Sequence, residues 1–249
     1  MSHRNLANNI QGPVFSIITP FKSNEDINYK VLENYIDYIY ENGASIFYVM
    51  GYNSRFSQLN NEEIKNLNKF VTTKVKSLNK NNIVIVADPL HCTTRVSIDF
   101  CNHAYECGAD IISLIVREKF FSIDQIVSHY EMCSNNSDIG ILIHEMPFLS
   151  GLNGKNMNWP IKLIDELCDI KNIVAIKEDA KDDVYTKEVI ETINDRIAII
   201  VSGGGKEQFM KSREYGCKAW LNGLGVFMPK IASNFWLAIK NNDLKYCHS

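Results

Sequence analysis

Lys177 closes the apolar run Ile173-Val174-Ala175-Ile176, and His144 closes another, Ile141-Leu142-Ile143. A lysine among apolar neighbours loses solvation, which disfavours its charged form and frees the amine to attack a carbonyl carbon. The same lysine can instead snorkel to solvent or pair with Glu178 or Asp179, and spacing alone leaves these readings open. A histidine side chain ordinarily titrates near neutrality, so the residue type at 144 suits general acid–base work; a His144 satisfied by local hydrogen bonds is the alternative. Ser202-Gly203-Gly204-Gly205 follows a further β-branched run and opens a helical stretch. Backbone amides at such a helix start make an anion site, although a glycine turn without a ligand fits as well. Tyr52, Asn53 and Arg55 follow one more run, Arg117 and Glu118 another, and each taken singly reads as a solvated loop residue.

Groups this far apart in sequence meet only if the elements between them form a closed scaffold. Eight short β-branched or aromatic runs alternate with stretches of helical spacing: Val14–Thr19, Ile46–Met50, Ile83–Ala87, Ile111–Val116, Ile139–His144, Ile173–Lys177, Ile197–Ser202 and Ala219–Asn222. Strand and helix alternating in this way predict βαβ units and a parallel sheet, and eight of them predict an α/β fold, the (β/α)8 TIM barrel. An open dinucleotide-binding sheet would want G-x-G-x-x-G after its first strand, and Ser16–Ser23 holds nothing of the kind. Tyr29–Asn42 reads as a helix with Val31, Leu32, Tyr35, Ile36 and Ile39 on one face and Gly43 at its end. Thr94 is the expected cap of the stretch ending at Cys107, and Ser122 of the next. In such barrels the chemistry sits at the C-terminal strand ends, where Lys177, His144 and Ser202 fall. The Gly- and Asn-rich stretch Leu149–Pro160 lengthens the loop after the fifth strand. One domain over 1–249 is expected, with 1–11 a flexible N-terminus and 230–249 the last helix and tail.

Composition narrows the partners. Hydrophobic residues make up 45% and charged residues 22%, as in ordinary globular proteins rather than disordered ones. A net charge of −3 gives no field for nucleic acid. No run approaches the roughly 18–20 apolar residues of a membrane span, and the polar Met1–Gln11 is no signal peptide. Seven cysteines without C-x-x-C spacing read as reduced thiols of a cytoplasmic protein, and six histidines without H-x-x-x-H spacing argue against a zinc site. No metal and no cofactor is expected.

Between Gly12 and Asn241 the chain resembles the dihydrodipicolinate synthase / N-acetylneuraminate lyase family of class I aldolases. Thr19-Pro20-Phe21 matches its T-P-F, Gly51 the first position of G-T-T-G-E, and Gly108-Ala109-Asp110 its G-A-D. Pro147 fits Y-N-x-P, Ile176-Lys177-Glu178 the segment around the Schiff-base lysine, and Ser202-Gly203 the S-G after the seventh strand. The departures are as informative. The family's proton-shuttling tyrosine falls on His144, the two threonines of G-T-T-G-E on Tyr52 and Asn53, and its glutamate on Arg55. The aromatic donated across a dimer contact falls on Glu118, the carboxylate-binding arginine near Leu149, and a G-x-G on Asp88-Pro89-Leu90. About twenty residues follow Pro229, so the family's further helical segment is shortened or missing.

The resemblance implies a lyase or aldolase acting on a pyruvate-like 2-oxo acid through a Lys177 Schiff base, with His144 in the tyrosine's role. Thr19, Gly51, Tyr52, Asn53, Glu118, Ser202 and Gly203 become the candidate substrate contacts. The substitutions point away from dihydrodipicolinate synthesis itself. A dimer or tetramer is implied, since family members are homo-oligomers. Two other readings stand beside this one: a barrel that has lost catalysis and serves in binding or assembly, and a phosphate-handling barrel that uses Ser202–Gly205.

Overall fold

The computed structural model describes residues 2–116, 122–145, 158–202 and 205–247. All eight expected strands are present: β1 Gly12–Ser16, β2 Ile46–Tyr48, β3 Ile83–Ala87, β4 Ile111–Leu114, β5 Gly140–His144, β6 Ile173–Glu178, β7 Ala198–Val201 and β8 Ala219–Asn222. Every neighbouring pair is parallel, and β8 returns to β1, so the sheet is a closed (β/α)8 barrel. Valine and isoleucine dominate the strands because both faces are buried, one inside the barrel and one under the helices.

A helix follows each strand: α2 Tyr29–Glu41, α3 Asn61–Leu78, α4 Thr94–Glu106, α5 Ile123–Asn135, α6 Ile161–Leu167, α7 Asp183–Ile193, α8 Gly205–Ser212 and α9 Pro229–Lys240. In α2 the buried stripe is Leu32, Ile36 and Ile39, while Val31, expected on that face, is exposed. The cap of α4 is Thr93 rather than Thr94: the Thr93 hydroxyl accepts from the amide of Val96, and Thr94 is already helical. Ser122 caps α5 as expected, in a reciprocal box with Gln125. The N-terminal segment, expected to be flexible, is instead helical. Ser2 caps α1 (His3–Asn9), whose Leu6 and Ala7, with Ile10 just beyond, are buried against the barrel floor. The apolar spacing Leu6, Ala7, Ile10 gives this short helix a face to bury, and packing supplies what its length alone would not. A short helix, α10 Leu244–Cys247, closes the described chain.

The interior is layered. Val14, Ile46, Ile83, Ile85, Ile111, Leu142, Val174, Ala175, Ile200 and Ala219 fill the lower barrel. One irregularity matters for what lies above them. Ile141 pairs with Ile173, but Leu142 pairs with Ala175, so β6 carries one extra residue. Val174 and Ala175 consequently both face inward, and the shifted register sets Lys177 directly beside His144. Without the bulge, His144 would face Ile176, and Lys177 would stand one residue further along.

Candidate active site

Above the apolar layers the inward positions turn polar. Tyr48 follows Ile46 by two residues on β2, Ser113 follows Ile111 on β4, and His144 follows Leu142 on β5. Alternation along a strand puts each on the same face as its apolar predecessor. The contacts confirm it, because they cross the lumen between strands that do not adjoin. The Tyr48 hydroxyl lies 2.6 Å from Ser113 Oγ and 3.3 Å from His144 Nδ1. His144 Nε2 in turn lies 2.8 Å from Lys177 Nζ. Lys177 Nζ also donates to Asp179 Oδ2 at 2.8 Å. Both members of that ion pair are buried, with side chains 1% and 8% exposed.

The direction of this chain follows from the donors available. An ammonium at Lys177 has only protons to give, so His144 Nε2 must accept. The imidazole proton then sits on Nδ1 and points to the Tyr48 oxygen, and the phenol donates onward to Ser113. Burial holds the Tyr48 phenol well above its usual value, so it stays a neutral donor. Burial also lowers Lys177 below the ordinary lysine value, while the adjoining Asp179 carboxylate pulls the other way.

Among the described residues three further buried carboxyls lie at or just past strand ends. Asp88, where the family pattern has G-x-G, is buried at the end of β3 and pushed up to about 7 by burial. The Ser97 hydroxyl and Cys92 thiol both donate to its Oδ2. Glu145 is likewise pushed up to about 7 by burial, against the Trp159 amide and the Tyr185 hydroxyl that bond it. Glu178 faces outward: it accepts from the Ala180 amide and the Thr186 hydroxyl and is raised by burial. Lys177 therefore pairs with Asp179 rather than Glu178.

The remaining expected contacts are distributed around the mouth. The Thr19 hydroxyl donates to the Ser54 carbonyl at 2.9 Å and the Ser54 hydroxyl to the Ile17 carbonyl at 2.9 Å, which ties the end of β1 to the turn after β2. Gly51 is buried and Tyr52 and Asn53 are half-buried in that turn, where the amides of Ser54, Arg55 and Phe56 bond back to Met50, Tyr52 and Gly51. Ser202 is buried at the end of β7, its amide on the Glu178 carbonyl. Glu118, Arg117, Gly203, Gly204, Pro147 and 149–157 of the long loop lie outside the described residues. Sequence reasoning passed over Tyr48 and Ser113, which look like ordinary strand residues unless their inward register is counted. Ser16 shares their layer, and its buried hydroxyl has no hydrogen-bond partner among the described residues. No group of three His, Cys, Asp or Glu side chains among the described residues is arranged to hold a metal ion, and none of the described helices is long and apolar enough to cross a membrane.

Comparison with known proteins matches residues 9–248 to the model of the dihydrodipicolinate synthetase family. A 4-hydroxy-tetrahydrodipicolinate synthase of Clostridium perfringens is 26% identical over 226 residues, covering 90% of this chain and 73% of that protein. An uncharacterised DapA-like lyase of Pyrococcus abyssi is 23% identical over 239 residues, 95% of this chain and 77% of its own. Among solved structures, the prophage protein YagE of E. coli K12, in complex with pyruvate, superposes with a TM-score of 0.86 at 19% identity, over 96% of this chain and 80% of that one. Dihydrodipicolinate synthase of Oceanobacillus iheyensis gives a TM-score of 0.85 at 18% identity, over 98% of this chain and 78% of its own. At such identities these two likenesses establish the barrel and nothing finer.

Proposed function

The chain belongs to the dihydrodipicolinate synthetase family, a family of lyases of the aldolase type, and on that premise we propose that it acts on a pyruvate-like 2-oxo acid through a Schiff base at Lys177. The observation that carries the reading is the buried Lys177 Nζ held 2.8 Å from His144 Nε2. Lys177 gives a proton to His144, and the freed amine attacks the ketone carbon. Loss of water leaves an iminium, which withdraws electrons from the adjacent carbon and permits aldol cleavage, condensation or dehydration there. His144 moves protons at the reacting centre, where the resemblance puts a tyrosine in other members, and Tyr48 and Ser113 fix its tautomer and ring orientation.

Thr19, Gly51, Tyr52, Asn53, Ser202 and Gly203, with Glu118, are the substrate contacts of this reading. A cytoplasmic location and assembly as a dimer or tetramer belong to it too. The substrate is a small molecule, and the scheme calls for no cofactor. Incubation with pyruvate and borohydride, followed by peptide mass spectrometry, tests it. A reduced adduct on Lys177 that disappears in Lys177→Ala is the expected result. A folded protein that forms no adduct with pyruvate or with a panel of 2-oxo acids would sink the proposal. It would favour a binding barrel, in which the Lys177–Asp179 pair is only an internal ion pair.

A further inference from the structure

Turning a lysine ammonium and a ketone into an iminium and water moves two protons from nitrogen to oxygen. The ammonium carries three hydrogens and the iminium one; the other two leave on the water. Among the described residues, two groups able to take and give a proton lie within hydrogen-bond reach of Lys177 Nζ, each at 2.8 Å: His144 Nε2 from β5 and Asp179 Oδ2 just past the end of β6. His144 is wired onward into the barrel, through Tyr48 to Ser113. Asp179 lies at the inward position next after Lys177, and its carboxylate is buried with the amine.

We propose that Asp179 is the second proton carrier of imine formation at Lys177, working alongside His144. This rests on the Schiff-base reading above. The steps balance as follows. The ammonium passes one proton to His144 Nε2, and the free amine attacks the carbonyl carbon. The carbonyl π pair moves to oxygen, which takes the proton back from the imidazolium to give a hydroxyl. The nitrogen, now a secondary ammonium, gives its next proton to the Asp179 carboxylate. The carboxylic acid then protonates the hydroxyl, the C–O bond breaks, water leaves, and the nitrogen lone pair forms C=N. Asp179 ends ionised beside the iminium, so the buried positive charge keeps its counter-ion throughout. A carboxylate in contact with the amine also raises the proportion of ammonium at rest. Besides Asp179, Glu178 on its own strand and Lys181 just beyond it bear on the titration of Lys177, His144 on β5 touches its Nζ, and Tyr48 on β2 stands behind His144. Among the described residues, Asp179 is the carboxylate that touches it.

The test is the pH dependence of pyruvate trapping with cyanoborohydride in excess, so that imine formation limits the appearance of adduct on Lys177. Wild type and Asp179→Asn are compared for plateau rate and midpoint. Asparagine keeps the shape and a hydrogen bond but has no charge and cannot take up and release a proton. The midpoint is expected to fall by about one to three pH units, because an opposite charge within contact shifts a pKa by about that much. The plateau is expected to fall about 10²–10⁴-fold, the usual contribution of one positioned acid–base group. A midpoint shift with the plateau unchanged would make Asp179 a counter-ion only and overturn the proposal. A lower plateau at the wild-type midpoint would mark a structural role and overturn it equally. If asparagine is not tolerated by the fold, Asp179→Ser is read by the same two criteria. No adduct in wild type removes the Schiff-base reading itself, and this proposal with it. Normal trapping in both proteins removes only the role of Asp179.

Discussion

Glu145 lets the electrostatics of the site be tested through stability. The Trp159 amide donates to its Oε1 at 2.7 Å, and the Tyr185 hydroxyl lies 3.0 and 3.1 Å from its two oxygens and 2.8 Å from the Trp159 carbonyl. A phenol has one proton and cannot serve both acceptors. When Glu145 is protonated every group is satisfied: the acid donates to the Tyr185 oxygen, the phenol to the Trp159 carbonyl, and the Trp159 amide to Glu145. When Glu145 is ionised, the phenol must turn to the carboxylate and leave the carbonyl. Geometry and burial thus agree on a raised carboxyl, at about 7 against an ordinary 4.5.

The sign follows by linkage. Between pH 4.5 and 7 the folded state holds this proton and the unfolded chain has released it, so stability is lost as pH rises through the window. The difference, 7 minus 4.5, at about 1.4 kcal/mol per unit, amounts to about 3 kcal/mol. That is a large share of a typical 5–15 kcal/mol. Glu145→Gln mimics the protonated acid, donating through its amide nitrogen to Tyr185 and accepting from Trp159. Denaturant midpoints measured at pH 5 and pH 8 should show the variant within about 1 kcal/mol of wild type at pH 5 and more stable by up to about 3 kcal/mol at pH 8. The comparison cancels Asp88, whose raised carboxyl contributes the same slope to both proteins. A wild-type-to-variant difference that does not change with pH would refute the reasoning.

Two further outcomes are expected. Tyr48→Phe leaves Ser113 Oγ and His144 Nδ1 without the phenol between them; stability should drop by about 1–3 kcal/mol, and the initial rate of pyruvate trapping by about tenfold or more, with the adduct still on Lys177. Leu6→Ala should cost about 2–5 kcal/mol in a denaturation series, as a buried leucine does, because Leu6 closes the barrel floor over Gly140; a loss below 1 kcal/mol would show that α1 does not seal it.

Much of the architecture was legible because it rests on local pattern. Ile83–Ala87 is a short run of apolar residues between helical stretches, and burial on both faces is what such a run requires. Gly43, Gly108 and Gly216 marked helix ends because each adopts a positive φ that other residues resist. The N-terminal helix was missed for the opposite reason. His3–Asn9 is polar at most positions and too short to hold by itself; only the apolar barrel floor waiting beneath Leu6, Ala7 and Ile10 makes it a helix.

The site divides along the same line. By itself the sequence determined that Lys177 and His144 lie at or next to the ends of strands of a parallel barrel, because strand type and order are written in alternation and spacing. It left open whether the lysine faces solvent, Glu178 or the lumen, because a change of one residue in register reverses every side chain. The tertiary structure decided this through the extra residue on β6, which pairs His144 with Lys177, and through closure of the sheet, which carries Tyr48 and Ser113 across the lumen from other strands. A bulge is a compromise between neighbouring strands, and a contact across a barrel exists only once the barrel has closed. Neither is a property of any single segment of the chain.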